Sequence, residues 1–376
     1  MTKKWSSRLT FFAFVVLMVG LGSNDSLRGI FSTIFQEHFS LTTTQLGLIV
    51  TASYIGNLVF LLVGGNLSTR FSKKRVLQVL ILIWMAALAL FAFTSNYTVL
   101  LIGMALALGS STLLNTTMNL ITPLLFATAP GFFVNFLFFT QEIGTSGSQY
   151  ILGSHADGFA FWQHTNLVLL ILGAVAFVLL LFCNVPEEAA APADAPAQKG
   201  GYDWRIIVPY VLVFGFYFIA EHGVMNWMVA YGVDGLGLPQ ASAAKYLSVF
   251  FGGMMIGRLC LSPLVDKLGA LKSLAAFGGV SCVLYLIGSL GGVVTMPVWA
   301  ISGLSFSILY PTLVMSIRLY FPAQQVSGAA GTILSIASLA DILFNVGFGK
   351  LVDMTGYAVS IRVLPLSALA FFIVFM

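Results

Sequence analysis

LTFFAFVVLMVGLGSNDSLRGIFSTIF, residues 9–35, is an apolar run long enough to cross a bilayer, and it holds one carboxylate, Asp25. A spanning helix needs about 20 mostly apolar residues. An acid at that depth is costly, so it normally faces a water-filled cavity, a proton path or a partner. Eleven more apolar runs follow, at 43–66, 75–95, 98–121, 131–153, 165–184, 204–231, 241–264, 270–291, 294–317, 326–349 and 358–376. Three of them hold an acid of their own: Glu142, Glu221 and Asp341. The pattern predicts an all-α membrane protein of twelve transmembrane helices.

Hydrophobic residues make up 59% of the 376-residue chain and charged residues 8%. Soluble domains carry about 25% charged residues, so a soluble enzyme is excluded. Cys183, Cys260 and Cys282 are scattered within apolar segments, and neither a disulfide framework nor a metal site is expected from them. The net charge of +4 is no nucleic-acid signature. Phosphate loops, zinc-ligand spacings and nucleophile triads do not appear either.

Residues 184–202 are rich in Ala, Pro, Glu and Gly, which neither span a bilayer nor form a core. They divide the chain into a six-helix bundle at 1–184, a cytoplasmic linker at 185–203 and a second six-helix bundle at 204–376. The N-terminal residues Lys3, Lys4 and Arg8 precede a run longer than a signal-peptide core, so the first helix is expected to stay attached. Arg70, Lys73, Lys74, Arg75, Lys199, Arg205, Lys267, Lys272 and Arg318 fall in loops on that same side. Lys and Arg mark the cytoplasmic loops, so both termini are expected inside. The halves also echo each other: Gly65–Lys74 after the second span and Ser262–Lys272 after the eighth occupy the same place. Two repeated halves are a common carrier design.

The loop GNLSTRFSKK, residues 65–74, resembles the signature between helices 2 and 3 of the major facilitator superfamily. Gly65, Leu67, Ser68, Arg70, Lys73 and Lys74 fit it, whereas Thr69 replaces the usual acid and Ser72 the usual Gly. The second copy keeps its acid, Asp266, with Arg258 expected to anchor that loop. A wider likeness is to the fucose:proton symporter family within that superfamily. It rests on Asn24-Asp25, on FSLTTTQLGLI at 39–49, on Lys245-Tyr246-Leu247 through Arg258, on Tyr310-Pro311-Thr312 and on Gly347–Gly356 with Asp353. Asn135 and Gly144 sit at the family's spacing in the fifth span.

The resemblance implies the major facilitator fold, alternating access and roles for particular positions. Asp25 falls where that family keeps its proton-carrying aspartate, with Asn24 beside it. Gln141 falls where an amide is offered to the sugar. Asn115 falls where the fucose carrier has a second acid, and Glu142 or Glu221 stands as the relocated acid.

The residues themselves leave two readings at most of these places. Asp25 carries the proton, or forms a static pair with Arg28 one helical turn on. Glu142 is a second proton or sugar group, or is tucked against a hydroxyl. Glu221, His222, Asn226 and Trp227 offer the carboxylate, amide and ring that a sugar site uses, or Glu221 and His222 pair near the outer helix end. Asp341, with Asn345 four residues on, serves structure or transport. Tyr310-Pro311 is a substrate-side gate or a fixed kink, since Pro frees a carbonyl at membrane depth. His38, His155 and His164 are expected in solvent.

The function expected from these readings is proton-coupled uptake of a small sugar, a hexose such as fucose, galactose or glucose. An exporter of drugs or metabolites and a sugar uniporter are the alternatives. Drug:proton antiporters usually carry a Gly-Pro pair late in the fifth helix, and the Gly144–Gln149 stretch lacks the Pro. No enzyme activity, metal, cofactor or nucleic-acid partner is expected. The proton gradient supplies the energy, and the protein is expected as a monomer in a bacterial cytoplasmic membrane.

Overall fold

The computed structural model describes residues 3–126, 130–186 and 203–376, with side chains other than those of 3–6, 63–70, 130–132, 135, 266, 323–325, 327 and 328. Most of the expected linker, 187–202, therefore lies outside the described residues. What is described is helical, without strands. Before the linker come α1 (Lys3–Ile30), α2 (Ser32–Phe39), α3 (Thr43–Arg70), α4 (Lys73–Phe93), α5 (Tyr97–Leu125), α6 (Pro130–Ile151) and α7 (Phe159–Leu181). After it come α8 (Trp204–Ala230), α9 (Gln240–Leu268), α10 (Ala270–Leu290), α11 (Met296–Ile301), α12 (Gly303–Phe306) and α13 (Leu309–Ser316). The chain ends with α14 (Ala323–Thr355), α15 (Tyr357–Ser360) and α16 (Val363–Phe375).

Eleven spans among the described residues are long and apolar enough to cross a membrane. The twelfth, α6, has the length, 22 residues, but its second half carries Gln141, Glu142, Thr145, Ser146, Ser148 and Gln149. The architecture is thus the expected twelve spanning helices, with one unusually polar member.

Two boundaries differ from the sequence reading for identifiable reasons. The first run breaks at Phe31 and then ends at Ser40, a non-glycine residue in the left-handed region at φ 51°, whose N–H reaches back to Gln36 and Glu37. The tenth span is three short helices, α11 to α13, interrupted before Pro311. Proline cannot donate the backbone bond that would continue the preceding turn.

The chain forms two compact units: Met1–Asp25, Ala52–Thr145 and Gly158–Gly201 in the first, Ser26–Thr51, Ser146–Asp157 and Tyr202–Met376 in the second. In the first unit α4 packs on α5 and α7, around fully buried Trp84 and Trp162. In the second, α8 packs on α14 and α16, and α9 on α12, around Tyr217, Trp227, Phe250, Tyr285 and Trp299. The outer faces are apolar. Val168, Ile171, Val175 and Val178 form an exposed stripe at helical spacing along α7. A soluble protein would hide such a patch, whereas lipid accommodates it.

Helix ends are tied by side chains. Ser72 caps α4 by accepting from the Arg75 N–H, which gives the residue in the usual Gly position a job of its own. Lys74 Nζ donates to the carbonyls of Leu181, at 3.0 Å, and Cys183, at 2.7 Å, satisfying the C-terminal end of α7. Within the second unit, Asp353 at the end of α14 caps the start of α3. Its carboxylate accepts from the N–H groups of Thr43 (2.8 Å) and Thr44 (2.7 Å) and from the Thr44 hydroxyl (2.5 Å). Close packing accompanies the cap, since a Cβ on Gly349 would sit 2.4 Å from the Thr43 carbonyl oxygen. Removing an N-cap acceptor costs about 0.5–2 kcal/mol, helped here by the helix dipole. Asp353→Ala should lower stability by that amount in thermal unfolding of detergent-solubilised protein. Asp353→Asn should lower it less, because an amide oxygen still accepts. An unchanged midpoint for the alanine variant would show that the cap contributes nothing.

Candidate functional site

The first unit builds its polar site on a close helix crossing. A Cβ on Gly22 of α1 would lie 2.0 Å from the Gln141 carbonyl oxygen, and one on Gly144 of α6 would lie 2.1 Å from that of Val19. Only glycine permits this approach. Two hydroxyls stitch it: Ser23 donates to the Gly144 carbonyl at 3.3 Å and Thr145 to the Gly22 carbonyl at 3.2 Å. The crossing brings the Asn24-Asp25 end of α1 to the Gln141-Glu142 stretch of α6.

Asp25 is turned toward α5, where its Oδ2 accepts from the Ser111 hydroxyl at 3.3 Å. Asn24 is buried, while Asp25, Gln141 and Glu142 are half-buried. An amide ladder runs along α5 and onto α6. Asn119 donates to Asn115 Oδ1 at 2.6 Å, and Asn115 donates to Gln141 Oε1 at 2.6 Å. Asn115 and Gln141, which the sequence pointed to separately, are therefore direct partners. Amides offer both donors and acceptors, so the ladder presents both to a polyhydroxylated ligand.

The second unit builds an aromatic cluster around one acid. Glu221 on α8 is 9% exposed and lies within electrostatic reach of Tyr217, Tyr285 and Tyr310. Tyr217 stacks on Phe306 at 5.0 Å and on Tyr310 at 6.0 Å. Tyr285 stacks on Phe306 at 5.2 Å and donates to the Ala220 carbonyl. The break before Pro311 lets Tyr310 join this cluster from α13. Arg258 on α9 lies within electrostatic reach of Tyr217 and Tyr310, which adds to the loop anchoring expected of it.

Beside the cluster, α8 is linked to α14 by side chains. His222 Nδ1 and Asp341 Oδ2 are 2.8 Å apart. Trp227 Nε1 donates to Asn345 Oδ1 at 2.8 Å, and Asn345 donates back to the Asp341 carbonyl at 2.7 Å. His222 thus pairs across helices with Asp341. Trp227 also differs from the expectation of a ring open to a sugar: it is fully buried, against Phe348 at 4.8 Å, with its N–H taken by Asn345. Asn226 is likewise buried, at 1% exposure. Arg28 lies in this unit, 6% exposed, with Nη2 4.0 Å from Met225 Sδ.

Of the expected loop residues, Lys73 is buried and Lys74 holds the end of α7, while the side chains of Gly65, Arg70 and Asp266 lie outside the described residues. His38, His155 and His164 are exposed. Ser111, Asn119, Tyr217 and Tyr285 were not singled out by the sequence. Ser111, Tyr217 and Tyr285 meet partners on other helices, and a serine or tyrosine in an apolar run carries no local mark of that. Two cavities lie elsewhere: about 530 Å³ beside Arg205, Tyr210 and Lys272, and about 540 Å³ beside Phe71, Arg75 and Leu113.

Twelve spans, acids at membrane depth and polar side chains paired across helices define a membrane transporter of small molecules. Residues 10–345 match the Major Facilitator Superfamily, and the chain belongs to that family. It is similar to the L-fucose-proton symporter of Escherichia coli (strain K12), 24% identical over 333 residues, covering 77% of this chain and 75% of the relative. It is also similar to the glucose/galactose transporter of Brucella abortus biovar 1 (strain 9-941), 27% identical over 344 residues, covering 85% and 81%. The crystal structure of the nucleoside transporter NupG (D323A mutant) superimposes with a TM-score of 0.78 at 12% identity over 100% of this chain and 99% of that one, a likeness of fold. The chain is an integral membrane transporter and not an enzyme.

The glycine crossing makes a direct prediction. Gly144→Val would drive a branched side chain into the Val19 carbonyl and part α1 from α6. Overpacking of this kind costs about 1–3 kcal/mol. A lower unfolding midpoint together with loss of transport is expected, whereas Gly147→Val, where nothing lies within 4 Å of a Cβ, should leave the midpoint unchanged.

Proposed function

We propose that this protein takes up a small sugar of the hexose class together with a proton, by alternating access. Asp25 carries the proton. The observation that carries this reading is the placement of Asp25 on a glycine-made helix crossing, against Ser111 and in the same packed unit as the Asn119–Asn115–Gln141 ladder. A carboxyl in such low-dielectric surroundings changes protonation with modest changes in hydration. The amides of that ladder form the hydrogen bonds that sugar hydroxyls require. Relatives named for fucose–proton symport and for glucose and galactose support the substrate class. Within the second unit, Glu221 and Tyr310 offer an acid and an aromatic face of the kind a sugar site uses. The lysines and arginines of the alternate loops support cytoplasmic termini, and a bacterial cytoplasmic membrane supplies the gradient. The carrier works as a monomer without a cofactor.

Each charge moved down a potential gains about 2.3 kcal/mol per 100 mV, so one proton drives a useful accumulation. In proteoliposomes, Asp25→Asn should retain exchange of labelled hexose while losing gradient-driven accumulation and the medium alkalinisation that accompanies sugar addition. Accumulation that survives the substitution would remove Asp25 from the coupling step. Sugar transport by the wild type without alkalinisation would identify a uniporter.

A further inference from the structure

The pair formed by His222 and Asp341 belongs to a different compact unit from Asp25, and it has the features of a proton-binding site. Asp341 lies well inside the 33-residue α14 at 2% exposure, whereas His222 keeps 24% of its side chain open. One carboxylate oxygen, Oδ2, meets the imidazole Nδ1 at 2.8 Å. The other, Oδ1, is buried without a hydrogen-bond partner among the described residues. The imidazole ring stacks on Phe218 at 5.3 Å with an interplanar angle of 6°, which fixes its orientation.

A buried carboxylate with one oxygen unsatisfied is an unfavourable place for a lone negative charge. A proton on the pair removes that penalty. An imidazole titrates in the physiological range, and a group of this kind at membrane depth serves function by default.

The other charges around the pair are few. Glu221 is adjacent on α8, and Arg28 of α1 faces the imidazole together with it. Arg258 of α9 faces the neighbouring tyrosines. On α14 the further charges are Lys350, which is exposed, and Asp353, which caps α3. Glu37 and His38 of α2 are exposed, and α16 has no titratable group.

We propose that the His222–Asp341 pair is a second proton site of the carrier, one that sets the packing of α8 on α14 and through it the presentation of Glu221. Resting on the transport reading above, it assigns the pair a regulatory proton. The step is a simple protonation: imidazole with carboxylate, net charge −1, takes one proton from water and becomes imidazolium with carboxylate, net charge zero. With the proton bound, the ion pair clamps α8 to α14 beside the Trp227–Asn345 bond. When it leaves, the imidazolium charge that held Asp341 is gone. The clamp loosens and the substrate-facing side of α8 shifts.

Two measurements test this. The first needs neither substrate nor gradient. With His38, His155 and His164 replaced by Gln, His222 is the only imidazole left of the four in the chain, and its ring is followed by NMR in detergent from about pH 5 to 8. A protonation step that moves when Asp341→Asn is added supports the pair. An imidazole that does not titrate in that range, or one whose step is indifferent to Asp341→Asn, overturns it.

The second is the pH profile of labelled-hexose exchange by the wild type, which should change by at least about fivefold across the imidazole range, the lower end of typical coupling. His222→Gln keeps a donor to Asp341 but no titration, and should flatten that step. The swap His222→Asp with Asp341→His should restore it, which covers the case of single variants that fold poorly. Folded His222→Gln with the wild-type profile, or a flat profile in a folded swap, would refute the proposal. Failure of the transport reading would show separately, as accumulation that persists in Asp25→Asn while the imidazole titration is unaffected.

Discussion

Inside a bilayer no water waits to satisfy a polar group, so every buried donor, acceptor or charge must find its partner within the protein. That constraint orders the polar architecture of this chain. Asp25 takes a hydroxyl from Ser111, the amides of α5 and α6 take each other, and Asp341 takes the ring of His222. Helix ends obey it too. Ser72, Lys74 and Asp353 each satisfy backbone groups that a helix leaves open at its terminus. The polar side chains are therefore not scattered flaws in twelve apolar rods. They mark contacts that hold one helix to another.

Partnership at this level needs close approach, and small residues provide it. Lipid tails are as apolar as leucine, so helices associate here by packing and by hydrogen bonds rather than by escape from water. Gly22 and Gly144 bring the backbones of α1 and α6 together, which places Ser23 and Thr145 within reach of the facing carbonyls. The second unit repeats the device where Gly303 of α12 meets the Phe250 carbonyl of α9, a Cβ there lying 2.0 Å away. That contact seats Phe306 among the tyrosines around Glu221. In both units a glycine crossing comes first, and the polar or aromatic group follows from it.

This order explains what could be read from the sequence. Span lengths and the acids are local properties, and they appear along the chain as they do in the fold. The stripe Val168, Ile171, Val175 and Val178 is a periodicity that any single helix displays. The partner of a residue is not local. Asn115 and Gln141 were both legible as candidates, yet nothing along the chain says that one donates to the other. His222 and Asp341 stand 119 residues apart, and Tyr285 carries no sign that it closes the cluster around Glu221. Trp227 shows the limit from the other side. Its residue type suited a sugar-stacking ring, but which way a ring points depends on Phe348 and Asn345, both on α14.

The two units handle charge by different chemistry, and the difference bears on what each can do. The Ser111 hydroxyl that meets Asp25 stays neutral and hydrogen-bonds equally well to a carboxylate or a carboxylic acid. Such surroundings let a proton come and go without rearranging the helices, which suits a group whose proton travels. Around Asp341 the partner is itself titratable, and the residue one position before that partner is another acid. A proton gained or lost there changes the attraction between two helices directly. The first arrangement favours carrying a proton and the second favours responding to one. A single travelling charge already draws about 2.3 kcal/mol from each 100 mV of potential, so a responding site need not contribute to the driving force. Its influence lies in making the carrier's packing, and hence its hold on the substrate, depend on the pH to which His222 is exposed.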